Sequence, residues 1–250
     1  MSSRAVTSAE SGTLRGFLQA MVKLMQSTEC VELETGANPT GSVIWLHGLG
    51  ADGHDFEAIV PELRLPESTP LRFVFPHAPV RPVTVNGGMA MRAWYDIISL
   101  DKEGRADEAG IRASSELLDA LISREQERGF AADRIVLAGF SQGGAIVLHN
   151  ALRTSLKLAG LMALSTYLPL SQTTAAEVVD EPAAGDTSLP VFMAHGTFDP
   201  MIQYQAGRDS ADALEEIGYT IEWHEYPMAH AVCPQEIIDI SNWLQSIYAD

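Results

Sequence analysis

An α/β fold, with a doubly wound and mostly parallel sheet and helices on both faces, follows from three features of the sequence. Short unbroken apolar runs recur at 42–46, 71–75, 134–138, 157–164 and 190–194. Strands covered on both faces read this way. Segments of helical periodicity fill most of the gaps, and strands alternating with helices build parallel sheets. Three of the runs deliver the chain into loops rich in Gly, His or Asp, at 47–53, 139–143 and 195–200. In open α/β sheets, ligands and reactive groups gather beyond the carboxyl ends of the strands.

The chain has 250 residues, 46% of them hydrophobic, which suits one domain with a sizeable core. Residues 1–27 are expected to be an N-terminal extension, polar and partly disordered at first. Leu14, Phe17, Leu18, Met21, Val22 and Met25 then recur at helical spacing. Residues 28–250 form the expected domain. A formal net charge of −17 repels phosphate backbones and anionic lipid surfaces, so no nucleic acid is expected as a partner. No run approaches the ~20 apolar residues of a membrane span, so no stable membrane insertion is expected. The two cysteines, Cys30 and Cys233, cannot form a disulfide framework, and no Cys/His spacing suits zinc. No metal is expected, and the expected setting is the cytoplasm.

Residues 30–34 alternate as a half-buried edge strand, and 36–41 turn into the first buried run. A helix is expected at 55–63. The run at 71–75 stops at Pro76-His77-Ala78-Pro79. Residues 81–100 are too irregular for one element, and their Met and aromatic content suits a pocket wall. The spacing of Ile111, Leu117, Leu118, Leu121 and Ile122 predicts a long surface helix over 107–128. A polar, acidic excursion occupies 165–188. A helix at 204–217 ends at Gly218, 219–226 alternates as a last strand, and Pro234 opens the last helix.

The chemistry centres on Gly139-Phe140-Ser141-Gln142-Gly143, between a predicted strand and a predicted helix. A G-x-S-x-G in that context is a sharp turn that presents the serine hydroxyl above the sheet. It leaves the Gln142 N–H at a helix N-terminus, where an oxyanion can form. Asp199 and His230 follow, each beyond the end of a later strand. A histidine in this position can take the serine proton as general base, and the acid fixes its tautomer. Asp52, Asp55 and Asp96 precede the serine and fail this order. His224 falls inside a predicted strand, and His195 precedes the acid by four residues. The second oxyanion donor is expected in His47-Gly48-Leu49-Gly50, where glycines allow close backbone approach. No long insertion is large enough for a separate cap domain, so an open or shallow site is expected.

Several motifs together resemble the carboxylesterase/acyl-protein thioesterase family of α/β-hydrolases, which overlaps in name with lysophospholipases. They are Trp45-Leu46-His47-Gly48-Leu49-Gly50-Ala51-Asp52-Gly53, Pro76-His77-Ala78-Pro79, Trp94-Tyr95-Asp96, Gly139-Phe140-Ser141-Gln142-Gly143-Gly144 and His195-Gly196-Thr197-Phe198-Asp199. The resemblance implies a minimal α/β-hydrolase with Ser141, Asp199 and His230 as triad and the N–H groups of Leu49 and Gln142 as oxyanion donors. It implies hydrolysis of carboxylic esters of short to medium acyl chains, of thioesters of acylated proteins, or of lysophospholipids, without a cofactor. It also suggests a weak homodimer and an apolar acyl groove, for which Met89, Trp94 and Tyr167 are the candidate residues. A non-catalytic binding module and a serine peptidase on the same fold are the alternatives.

Overall fold

A computed structural model describes residues 28–99, 107–171, 173 and 187–249. The expected extension at 1–27 and most of the excursion at 165–188 lie outside the described residues. Seven strands form the main sheet in the order β1-β3-β2-β6-β7-β8-β9. They are β1 (Cys30–Glu34), β2 (Gly41–Leu46), β3 (Leu71–Pro76), β6 (Ile135–Phe140), β7 (Gly160–Leu164), β8 (Val191–Gly196) and β9 (Ile221–Tyr226). All neighbours run parallel except β1, which pairs antiparallel with β3 at the edge.

Each buried run splits its side chains between two cores, because successive strand residues point to opposite faces. Ile44, Leu46, Leu137, Leu161 and Met193 pack on one side, against α2 (Glu108–Glu127), α3 (Gln142–Ala151) and α4 (Tyr204–Glu216). Val43, Trp45, Val136, Met162 and Phe192 pack on the other, against α1 (Ile59–Glu62) and α5 (Pro234–Ile247). Asp107 caps α2, its carboxylate accepting from the Gly110 N–H at 2.9 Å. Gly218, at φ 99°, closes α4, with its N–H on the Glu215 carbonyl and the Tyr219 N–H on the Leu214 carbonyl.

Two expectations change. The helix expected at 55–63 shrinks to α1, preceded by tight turns in which Asp55, Glu57 and Ile59 donate three residues back. Pro61 lacks an N–H, so the regular ladder tolerates it only in a first turn. The irregular stretch at 81–100 contains an antiparallel hairpin, β4 (Val80–Val83) with β5 (Met89–Arg92), separate from the main sheet. Its turn uses Gly87 and Gly88 at φ 67° and 77°, a left-handed backbone that glycine adopts without steric cost.

Candidate active site

The chain leaves β2 toward β3 on one side and reaches β6 on the other, so the sheet reverses its winding between β2 and β6. The loops after these strands therefore diverge and leave a crevice. Leu46 pairs with Gly139, and two residues further on Gly48 stands beside Ser141. A Cβ built on Gly48 would lie 3.4 Å from the Ser141 Cβ, so the Gly-rich loop lies directly against the serine.

Ser141 occupies φ 54°, ψ −119°, a region that non-glycine residues avoid at a cost of about 1–3 kcal/mol. Its neighbours hold it there. The Ser141 N–H donates to the Leu164 carbonyl at 2.9 Å, and its carbonyl accepts from the Thr166 hydroxyl at 2.7 Å and from the Ala145 N–H at 3.1 Å. The flanking glycines are steric requirements. A Cβ on Gly139 would come within 2.5 Å of the Gly143 carbonyl carbon. A Cβ on Gly143 would lie 2.5 Å from the Leu46 carbonyl oxygen and 2.6 Å from that of His47. Both obstacles are backbone in a buried strand end and cannot swing aside. Gly143→Ala should therefore cost about 3 kcal/mol or more. For a chain of this size that lowers Tm by about 6–12 °C, readable by circular dichroism. An unchanged Tm would contradict this packing.

Asp199 follows β8, and His230 lies in the loop after β9. The His230 Nδ1 is 2.6 Å from Asp199 Oδ2. The other carboxylate oxygen, Oδ1, accepts the Met201 and Ile202 N–H groups at 2.8 and 2.9 Å. Gly196 makes the approach possible, because a Cβ there would collide with the Met228 carbonyl. The Thr197 and Phe198 N–H groups then donate to the Tyr226 and Met228 carbonyls. The His230 ring packs 4.8 Å from that of Phe140, the residue before the serine. The Ser141 hydroxyl is not hydrogen-bonded to His230 in this arrangement, and such contacts commonly close only with substrate bound.

The remaining histidines have other partners. His195 is buried with Nε2 2.9 Å from the Ile202 carbonyl and 3.5 Å from Asp199 Oδ2. Burial pushes its pKa down, against the Ile202 hydrogen bond. His224 stacks on Phe192 and pairs with Glu222, as a sheet-face residue should.

His47 lies under the Gly-rich loop and is 2% exposed. Its Nε2 accepts from the Ala78 N–H at 3.1 Å, so the ring proton sits on Nδ1 and is donated to the Gly48 carbonyl at 2.7 Å. Burial pushes its pKa down from 6.5 to about 4, although the Gly48 hydrogen bond acts the other way. The unfolded chain thus takes up this proton more readily. The stabilisation is complete above pH 6.5 and is lost as the pH falls through that value to about 4. The full shift corresponds to about 3 kcal/mol. Urea unfolding between pH 7 and 4 should show this loss in the wild type and a flatter dependence in His47→Asn. Equal slopes would exclude a buried neutral His47.

The Leu49 and Gln142 N–H groups have no backbone acceptor among the described residues. The Gln142 side chain is held at both polar atoms: Oε1 accepts from the Trp94 N–H and Nε2 donates to the Tyr95 carbonyl, both at 2.8 Å. Trp94 corrects an expectation, since it is 0% exposed and forms no groove surface. Its indole N–H donates to the His47 carbonyl at 2.8 Å. Met89 is exposed on β5, and Tyr167 is half-buried with its hydroxyl 2.8 Å from that of Tyr95. Sequence reasoning missed Thr166, whose only signal is a hydroxyl just past a strand end. It also missed the exposed apolar residues Phe198 and Met201, which flank the acid. No group of three or more His, Cys, Asp or Glu among the described residues is arranged to hold a metal. No helix among them is long and apolar enough to cross a membrane.

Comparison with known proteins bears on the fold and the family. The chain is 42% identical to acyl-protein thioesterase 1 of Neurospora crassa over 215 residues, covering 83% of this chain and 87% of the relative. It is 41% identical over 223 residues to the protein of that name from Cryptococcus neoformans, covering 82% and 91%. Among solved structures, acyl-protein thioesterase 2 of Zea mays superposes with a TM-score of 0.78 at 26% identity, over 88% of this chain and 98% of that one. Arabidopsis thaliana SOBER1 superposes with a TM-score of 0.74 at 29% identity, over 83% and 98%. The fold is that of the α/β-hydrolases. The phospholipase/carboxylesterase family model matches residues 28–248, nearly all of the chain in which this sheet and crevice are built, and the chain belongs to that family.

Proposed function

We propose that this chain is a serine hydrolase of acyl thioesters and carboxylic esters, acting on acylated proteins, with Ser141 as nucleophile, His230 as general base and Asp199 as the residue that orients it. The observation that carries the reading is the 2.6 Å contact between His230 and Asp199 beside a serine held in a strained strand-to-helix turn. The names of the fungal relatives support the acyl-thioester substrate.

In this reading the Ser141 oxygen attacks the acyl carbon while its proton passes to His230 Nε2. The carbonyl π electrons move to oxygen, and the N–H groups of Leu49 and Gln142 receive that charge. The tetrahedral species collapses by breaking the carbon–sulfur or carbon–oxygen bond, and the leaving group takes the proton from His230. Water then repeats the sequence on the acyl-serine, releasing the carboxylic acid and restoring the hydroxyl. Asp199 accepts the His230 Nδ1–H throughout and stabilises the imidazolium.

A cytoplasmic setting belongs to the same reading, supported by the free thiols Cys30 and Cys233. Weak self-association also belongs to it, supported by the exposed apolar residues Val80, Met89, Phe198 and Met201. The test has two parts. A fluorophosphonate should label one site per chain, at Ser141, by peptide mass spectrometry. A rate series over ester and thioester chain lengths should include turnover of a peptide acylated on cysteine. No adduct at Ser141 would favour a non-catalytic binding protein. Cleavage of esters but no thioester would remove the acylated-protein substrate.

A further inference from the structure

The two candidate oxyanion donors sit on different loops, one after β2 and one after β6. Their separation must be held within about half an ångström for both to meet one oxygen. We propose that Trp94 is the positioning residue that ties the two donors to each other. This inference rests on the reading of Leu49 and Gln142 as oxyanion donors.

All three polar groups of Trp94 are committed. On the β2 side, its indole N–H donates to the His47 carbonyl at 2.8 Å. The next peptide is fixed in turn by the His47 ring, whose Nδ1–H holds the Gly48 carbonyl at 2.7 Å. A trans peptide is planar, so holding the Gly48 oxygen turns the Leu49 N–H to the opposite side. On the β6 side, the Trp94 main-chain N–H donates to Gln142 Oε1 at 2.8 Å, and the adjoining Tyr95 carbonyl accepts from Gln142 Nε2. That clamp fixes the residue whose own N–H is the second donor. The third group, the Trp94 carbonyl, accepts from the Ser114 hydroxyl on α2, which anchors the brace to the body of the domain. The ring is fully buried, so it acts through the donors and does not touch substrate.

Trp94→Phe keeps an aromatic ring and removes the indole donor. Kinetics should be normalised to serines titrated to completion with a fluorophosphonate, so that unfolded protein does not count. The expected result is a fall in kcat of about 10- to 100-fold with KM within about threefold, the signature of lost transition-state positioning. Affinity for an alkyl boronic acid, which forms a tetrahedral serine adduct, should fall by a similar factor. A core ring with no positioning role would lower Tm and leave kcat per reactive serine and boronate affinity unchanged, and that result overturns the proposal. If Trp94→Phe does not fold, Gln142→Met opens the other side of the brace while keeping the Gln142 N–H, and the same kcat loss is expected. Wild-type kcat in that variant also overturns it. Ser141→Ala separates the two levels. Turnover retained there removes the reading of the site itself, whereas an inert Ser141→Ala beside wild-type Trp94→Phe removes only the brace.

Discussion

A Ser141→Ala variant is expected to fold like the wild type and to lose about 10⁵-fold or more of kcat on an activated ester. The two halves of this expectation have separate origins. The turn is held by main-chain contacts, from the Ser141 N–H to the Leu164 carbonyl and from Thr166 and Ala145 to the Ser141 carbonyl. Alanine keeps all three. It also keeps a Cβ at φ 54°, so it neither relieves nor adds to the backbone strain. Tm should therefore stay within about 2 °C of the wild type, the change of a surface-like substitution. Chemistry is different, because no other residue of that turn, 139–143, carries a hydroxyl. What remains is the rate that binding and oxyanion donors give to attack by water, some 10³–10⁴-fold above the uncatalysed reaction. Turnover within tenfold of the wild type, with the protein folded, would remove Ser141 from the mechanism.

Much of this site was legible because Ser141 and Asp199 follow buried strands, which are written as unbroken apolar runs, while His230 follows a half-exposed strand marked by alternation. The runs before His47, Ser141 and Asp199 became β2, β6 and β8, and His230 follows β9. The parts that were not legible depend on partners distant in sequence. Trp94 stands among methionines and glycines and reads as a pocket wall. Its burial comes from an indole N–H that finds the His47 carbonyl, an acceptor 47 residues away that no local pattern specifies. The β4–β5 hairpin was hidden for another reason. Its strands are only four residues long, and their exposed positions include the apolar Val80, Pro82 and Met89, so hydrophobicity does not mark the covered face and only Asn86-Gly87-Gly88 signals the turn. At 55–63 the apolar spacing suits a helix. The ring of Phe56, stacked 5.0 Å from Trp45 and tilted against Phe140 at 5.5 Å, fixes these turns by tertiary contact. His195 lies 3.5 Å from Asp199 Oδ2, a contact that no local pattern specifies. That it approaches Asp199 at all depends on Gly207, where a Cβ would strike the His195 ring.

Asp199→Asn should lower kcat about 10⁴-fold, the loss that an inverted histidine tautomer causes in a Ser-His-Asp arrangement. The direction in which the new amide turns can be derived. Oδ1 accepts two backbone N–H groups, from Met201 and Ile202, at 2.8 and 2.9 Å. An NH₂ group there would face two donors, so the asparagine must leave its oxygen in that place and turn its NH₂ toward His230. The His230 Nδ1, 2.6 Å from the replaced oxygen, then meets a donor and must become the acceptor. Its proton moves to Nε2, the nitrogen that should receive the proton of Ser141, and the base is blocked. His195 offers no substitute. Its Nε2 is held at 2.9 Å by the Ile202 carbonyl, and burial pushes its pKa down. Nitrogen NMR of a histidine-labelled protein separates this account from a simple loss of charge. The wild type should show His230 protonated on Nδ1, and the variant should show it protonated on Nε2. Loss of activity with the Nδ1 proton still in place would mean that Asp199 acts only through its charge. A variant with nearly full activity would mean that another residue orients the base.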